Sequence, residues 1–595
     1  MVVPIRHEVR FRAPESHYVE VASSFPCAEG SGLDLAMAVW TPGSYLIREY
    51  ARHVEGISAR ADDGSPLRIA KTCKNRWRVE TGSAERAVIR YRLYARELSV
   101  RTNFVDADFA LLSGAASFLV PVGGHHLAAE LHLELPPPWR TVVSPLVSPA
   151  EGLFVAASYD ELVDAPIYAG NAPVHRFVVE DREHLLVNEG EDERWNAPRA
   201  LSDLSRIVAT AAAFWGALPY ERYVIFNLLT EGGGGLEHRD SCVLMASRLK
   251  TRRADGYLDW LGLVVHELFH AWNVKRLRPI EFDRFDYEAE VYTPSLWIAE
   301  GFTTYYEDLM LHRAGFVGPA GLLERLSKTI ESVEAGPGRL VQGLDAASFD
   351  AWIKYYRKDE NFPNSGVSYY TKGAVVALLL DAQIRTATRG ERSLDDAMRL
   401  AYDRFSDARG YRQEEMIATL EEVAGRPLAA WIERALAPGQ LDYTPALEAF
   451  GLRFADEPKE GAEPAAWLGL DAEPQGGRLL VSHVVRGGPA ASGGVAAGDE
   501  ILAIDDDRVP SDGLAERLRG HRPGEAATLL VSRRERLRRL PIVFGAKPRT
   551  RGRLEIDPTA TPEQRVRLAG WLEGAPAGRL EPAVTAVVTT PGDRR

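Results

Sequence analysis

The chain is poor in cysteine: three occur in 595 residues, Cys27, Cys73 and Cys242, far apart and with no Cys-x-x-Cys spacing. That excludes a disulfide framework and a thiolate metal site, so any metal here must be held by histidines and carboxylates. An excess of positive charge is also missing. Lys and Arg number 71 against 84 Asp and Glu, a formal net charge of −13, which argues against nucleic acid as a partner. The single basic run, Arg533-Arg534-Glu535-Arg536-Leu537-Arg538-Arg539, is short and interrupted, and reads as a solvated strand or turn. No run of about 18 apolar residues occurs, so no membrane span is expected. The N-terminal MVVPIRHEVRFRAPES has no apolar stretch of signal-peptide length, and a cytoplasmic location is the expectation.

What is present is ample material for packed interiors. Hydrophobic residues make up 45%, charged residues 26%, and there are 12 Trp, 21 Tyr and 20 Phe. A chain of this length exceeds one ordinary core, and three or four domains are expected. Up to about residue 170, short apolar and β-branched runs such as HYVEVASSF, LDLAMAVW and AVIRYRLYA alternate with Gly, Pro, Asn and Asp. This predicts an all-β sandwich over 1–172. From about Pro198 to Pro445 the segments lengthen and take helical periodicity, as in GYLDWLGLVVHELFHAWNV and TKGAVVALLLDAQIRTAT, which predicts a mostly helical domain within 173–455.

The stretch ADEPKEGAEPAA, 455–466, reads as a linker. The 456–546 region then carries Trp467-Leu468-Gly469-Leu470, a Gly-Pro-Ala-Ala turn at 488–491 and Gly498-Asp499-Glu500-Ile501-Leu502, and resembles a PDZ domain of α+β type. Residues 547–595 read as an appendage with one short helix, Thr561 its N-cap and Pro562 its first residue.

The chemistry falls in VVHELFHAWN. In a helix His266 and His270, at i and i+4, lie about 40° apart around the axis, and Glu267 lies about 100° from His266, so all three can face one cavity. Two neutral imidazoles bind zinc while an adjacent glutamate takes a proton from water. The competing reading is a core helix with two hydrogen-bonded histidines, favoured by Val264, Val265, Leu268, Phe269 and Trp272. Burying two histidines and a glutamate in one turn is costly unless compensated, and a divalent cation compensates them best. A zinc peptidase needs a third ligand. Among the downstream carboxylates, Glu300 stands in the apolar segment SLWIAEGF, where a buried carboxylate needs a cationic partner, while Glu307 and Asp308 read as a solvated helical flank.

At these residues the sequence resembles the gluzincin metallopeptidases, and in particular the glycyl aminopeptidase family, which joins an N-terminal β domain, a thermolysin-like catalytic domain and a PDZ domain. The run His266 to Pro279, Trp297 to Tyr306, SFDAWIKYYRKDENFPNSGVSYYTKGAVVALLLD and VWTPGSYLIREYARH are all similar to that family. The resemblance implies one Zn²⁺ on His266, His270 and Glu300, with Glu267 as general base. The 29 residues between His270 and Glu300 exceed the spacing of better-known gluzincin aminopeptidases.

Glu231 to His238, EGGGGLEH, resembles the family's Gly-x-Met-Glu-Asn segment. There Gly234 and Gly235 let an edge backbone approach a peptide, and Glu237 receives its α-ammonium. Tyr370, in YYTKG, resembles the tyrosine that bonds the developing oxyanion, with Tyr369 as the alternate. The implied activity is removal of N-terminal Gly or Ala from peptides. The alternatives are a zinc endopeptidase of the same fold and a non-catalytic peptide-binding scaffold. The PDZ-like region either captures a peptide C-terminus or serves as a packing module.

Overall fold

The structure is a computed structural model describing residues 4–27, 32–407, 409–455, 466–548 and 551–574. The N-terminal domain is β-rich as expected. An eight-stranded sheet and two four-stranded sheets enclose one apolar core that includes Phe11, Val21, Trp77 and Leu131. Its strands show the expected alternation: in Ile5–Arg10 and Arg86–Tyr94 every second side chain is buried.

The middle domain opens on a five-stranded sheet ordered Val174–Val179, Arg182–Glu189, Arg222–Thr230, Ser241–Ser247, Gly234–Glu237. Three neighbours run parallel and are buried almost throughout, which is why RYVIFNLLT and SCVLMAS read as continuous apolar runs rather than alternating strands. Helical periodicity governs the rest of the domain. The motif helix spans Ala254–Phe269, the helix bearing Glu300 spans Leu296–Arg313, and a third spans Tyr369–Ala387 with Ser368 capping Thr371 N–H. The last two cross at glycines: a Cβ on Gly301 would lie 2.6 Å from the Cα of Gly373. Only hydrogen at both positions permits that approach.

The PDZ domain has its own six-stranded sheet and a core of Leu468, Val481, Ile501, Leu529 and Phe544. The basic run forms its last hairpin, turning at Arg534-Glu535 with positive φ at both. Asn364 of the catalytic domain fixes the PDZ domain in place, donating to Val484 O at 2.8 Å and accepting from Arg486 N–H at 2.8 Å. The linker expected at 455–466 lies, but for its ends, outside the described residues.

The C-terminal segment forms the expected helix, Pro562–Glu573 with Thr561 as N-cap, but it is no free appendage. Leu554–Ile556 pairs with Leu452–Phe454 of the catalytic domain, and fully buried Trp571 stacks on Phe450 at 4.6 Å. Its indole N–H donates to Tyr305 Oη at 2.7 Å. Among the described residues no helix is long and apolar enough to cross a membrane.

Two buried histidines give the fold an acid limit. Burial holds the His7 imidazole, beside Ser23 in the N-terminal core, down at about 3, and that of His184, beside Tyr220, down at about 4. Both are neutral when folded but take a proton below about 6.5 once unfolded, so stability is full above that pH and falls as pH drops towards 4. Each adds about 1.4 kcal/mol per pH unit to the acid slope. Thermal melts between pH 7 and 4.5 are expected to record this loss, and His7→Gln to flatten it.

Candidate active site

His266 lies in the last turn of the motif helix and His270 caps it with helical backbone angles, so the i, i+4 relation holds. Their rings lie 4.8 Å apart. Glu300, 2% exposed, enters from the neighbouring helix, with Oε2 at 3.1 Å from His270 Nε2 and 3.6 Å from His266 Nε2. One ligand atom from each of His266, His270 and Glu300 falls within 4.8 Å of the others. The far ring nitrogens are tied down. His270 Nδ1–H donates to Asn273 O at 2.7 Å, and His266 Nδ1–H to Glu307 Oε2 at 3.3 Å, so both Nε2 atoms turn towards Glu300.

Asn273 does a second job. Its side-chain amide donates to Ile298 O, Ala299 O and Thr303 Oγ1 at 3.0–3.2 Å, clamping the end of the motif helix to the turn that carries Glu300. Glu307 and Asp308 correct the expectation of a solvated flank: Glu307 pairs with His266 and Arg325, and Asp308 is buried against Arg325. Glu307 follows Glu300 by seven residues, two helical turns along one face, and that spacing was the available signal.

The charges at this cluster are those a divalent cation would balance. Burial would push the Glu300 carboxyl up, but His270 and His266 draw it down to about 2. Burial pulls both imidazoles down, while Glu300 foremost among the facing carboxylates raises them above their ordinary range. Burial pushes Glu267 up to about 7, with Glu237 adding to the shift and His266 opposing it. Without an ion, protons on the imidazoles must balance the buried carboxylates. A divalent ion satisfies the same groups with both imidazoles neutral, and two nitrogens with one carboxylate oxygen is a zinc donor set. The residues fit the metal.

Beside this cluster stands a second one. Glu237, Glu267 and His270 also bring one atom each within 4.8 Å. Glu267 Oε2 and Glu237 Oε1 are buried with no hydrogen-bond partner among the described residues, two acceptors left open in one cluster. Gly234 and Gly235 lie on the edge strand of the sheet, where Gly234 adopts φ +117° and a Cβ on Gly235 would meet Glu267 Oε1 at 2.0 Å. The glycines therefore bring the edge backbone against Glu267. Tyr370 stacks beside His266, centroids 6.1 Å apart, while Tyr369 is fully buried in the core. Burial, then the Glu300 charge, keeps the Tyr370 hydroxyl protonated far above its ordinary range, so it remains a donor.

The N-terminal domain supplies residues that sequence reading did not assign. A Cβ on Gly43 would strike Glu237 Oε1 at 2.4 Å, and Tyr356 Oη donates to Gly43 O at 3.4 Å. Arg101 donates to Gly235 O at 3.3 Å. The only signal was that Gly43 sits in the TPGSY stretch of the resemblance.

The M61 N-terminal domain pattern matches residues 6–171, the M61 glycyl aminopeptidase pattern 259–376, and a PDZ domain pattern 466–543. No curated protein matches the chain. A crystal structure of an aminopeptidase N family protein from Idiomarina loihiensis is 30% identical, with a TM-score of 0.89 over 96% of this chain and 100% of that one. An M1 zinc metallopeptidase mutant from Deinococcus radiodurans with Tyr-Ser-Ala bound is 13% identical, over 74% of this chain and 94% of that one, with a TM-score of 0.48. A structure of the Deinococcus radiodurans M1 zinc metallopeptidase is likewise 13% identical, over 73% and 92%, with a TM-score of 0.44.

Proposed function

Because the chain belongs to the M61 glycyl aminopeptidase family and is a peptidase, we propose that it is a zinc-dependent aminopeptidase that releases small N-terminal residues, glycine or alanine, from peptides. One observation carries this reading. The His266, His270 and Glu300 cluster lies beside two buried carboxylates, Glu267 and Glu237, each with an oxygen left open, along an edge strand.

His266 and His270 through Nε2, with the Glu300 carboxylate, would hold one zinc per chain. That ion would supply Lewis acidity for a bound water and for the scissile carbonyl. Glu267 takes the proton of the attacking water and returns it to the leaving amine. Tyr370 donates its hydroxyl to the carbonyl oxygen as charge develops there. Glu237 receives the α-ammonium, and its fixed place sets a one-residue distance to the scissile bond. The edge strand Gly234–Glu237 offers its outer backbone to the extended peptide.

The preference for a small first residue is supported by the closure of the amine end. Gly43 abuts Glu237, and the phenols of Tyr45 and Tyr356 lie within electrostatic range of both Glu237 and Glu300. In the PDZ domain the strand Leu470–Gln475 lies at a sheet edge, where a peptide C-terminus would add as a strand. The Asn364 contacts, with His483 on Glu360 O at 2.8 Å, favour a second role in packing against the catalytic domain.

The test is metal analysis of the purified protein with an assay on aminoacyl anilides. One zinc per chain and hydrolysis of glycyl and alanyl anilides, lost to a chelator and restored by zinc, are expected. No zinc, and no hydrolysis with zinc added, would leave only the scaffold reading. Glu307→Ala, which removes the acceptor of His266 Nδ1–H, is expected to weaken zinc binding by about 10–100-fold, as loss of outer partners does elsewhere, in competition titrations with a fluorescent chelator.

A further inference from the structure

Two neighbouring arginines, Arg101 against the edge strand of this site and Arg48 behind it, have no ion-pair partner among the described residues. Arg48 lies in the N-terminal domain loop that also carries Gly43, and Arg101 in the turn following Arg86–Tyr94. Among the described residues neither forms an ion pair. The Arg48 guanidinium donates to Leu46 O at 3.3 Å and to the Tyr50 hydroxyl, and Arg101 Nε is buried with no partner. Burial first, and then the Arg101 charge among other neighbours, holds the Arg48 guanidinium below its ordinary range; exposed Glu97 acts on it through space without pairing. Burying like charges together costs free energy that an anion between them recovers.

Their place says which anion. Arg101 Nη2 donates to Gly235 O at 3.3 Å, its Nη1 is the nearest atom to a Cβ built on Gly234, and Gly235 itself lies against Glu267. Tyr356 falls within electrostatic range of Arg101, Glu237 and Glu300 together. Arg101 therefore stands at the same edge strand as the amine anchor but further along it, and Arg48 joins it through Tyr50, which bonds the Arg48 guanidinium and donates its hydroxyl to Arg101 O at 2.8 Å. Gly235 and Glu237 are two residues apart, about 6.6 Å of strand. A peptide with its ammonium on Glu237 and its chain extended back along that edge brings its second or third residue to Arg101. The guanidinium fork matches a carboxylate in two hydrogen bonds.

We infer that Arg48 and Arg101 form a carboxylate subsite that takes the free C-terminus of a di- or tripeptide, so that the site measures its substrate from both ends. This rests on the aminopeptidase reading above. A free carboxylate also occurs on acidic side chains, and the substrates must separate the two sources.

The experiment compares kcat/KM for a glycyl tripeptide as free acid, the same peptide as C-terminal amide, an amide ending in glutamate, and a glycyl anilide. Wild type is expected to favour the acid over the amide by about ten-fold or more, chiefly through KM. Arg48→Gln and Arg101→Gln are each expected to bring that ratio close to one. A merely structural arginine would leave the ratio unchanged. The glutamyl amide is expected to follow the plain amide; cleavage at the rate of the acid overturns the assignment to the chain terminus. Equal rates on acid and amide in wild type, which need no variant to fold, overturn the subsite while leaving the aminopeptidase standing. Failure of wild type on the glycyl anilide and every peptide overturns both.

Discussion

Glu267→Gln is expected to lower kcat on glycyl anilides by about 10³-fold while leaving zinc content and melting temperature close to wild type, the scale general-base removal usually shows. Glutamine keeps the shape that lies against Gly235, where a Cβ would meet Glu267 Oε1 at 2.0 Å, so the edge strand need not move. What it loses is the ability to accept a proton. The loss falls on kcat rather than KM, because the proton moves only during the reaction. Retention of more than about a tenth of wild-type kcat would place the base elsewhere.

Glu237→Ala is expected to cost about 10²–10³-fold in kcat/KM, confined to substrates with a free amine, since it removes one partner of a buried ion pair. The buried and unpartnered Oε1 is the ground for this expectation. N-acetylated peptides supply the control. In an aminopeptidase they are poor substrates for wild type and lose nothing further in the variant. If the enzyme is an endopeptidase, wild type cleaves them well and the variant still does. An equal loss on free and blocked peptides would instead make Glu237 a structural support of the edge strand.

Most of the zinc-type cluster was legible because its chemistry is local. His266, Glu267 and His270 share one turn, and Glu300 is a carboxylate in an apolar helix, a combination that signals a partner before any contact is known. Asn273 stood in the same segment with nothing to mark it, and Glu307 showed only its seven-residue spacing from Glu300, because what they do depends on which helix lies opposite. Gly43, Arg48 and Arg101 come from a separate domain, and no periodicity within 1–172 says which loop reaches the cleft. The sheet of the middle domain was hidden for another reason: strands buried on both faces lose the alternation that marks a strand. Trp571 could have been suspected, since a lone tryptophan in a polar helix has to be covered by something.

That tryptophan has a consequence in time. It fills the core under Tyr305, on the helix that holds Glu300, yet in chain order it follows the whole PDZ domain. Domains fold as they emerge during synthesis, N-terminal first. The catalytic core therefore stays open beneath Tyr305 until the PDZ domain has been made and the final helix packs back. A peptidase assembled in this order gains its full activity only after the ribosome has passed the PDZ domain, and a chain cut short within it would carry every catalytic residue on an unfinished core.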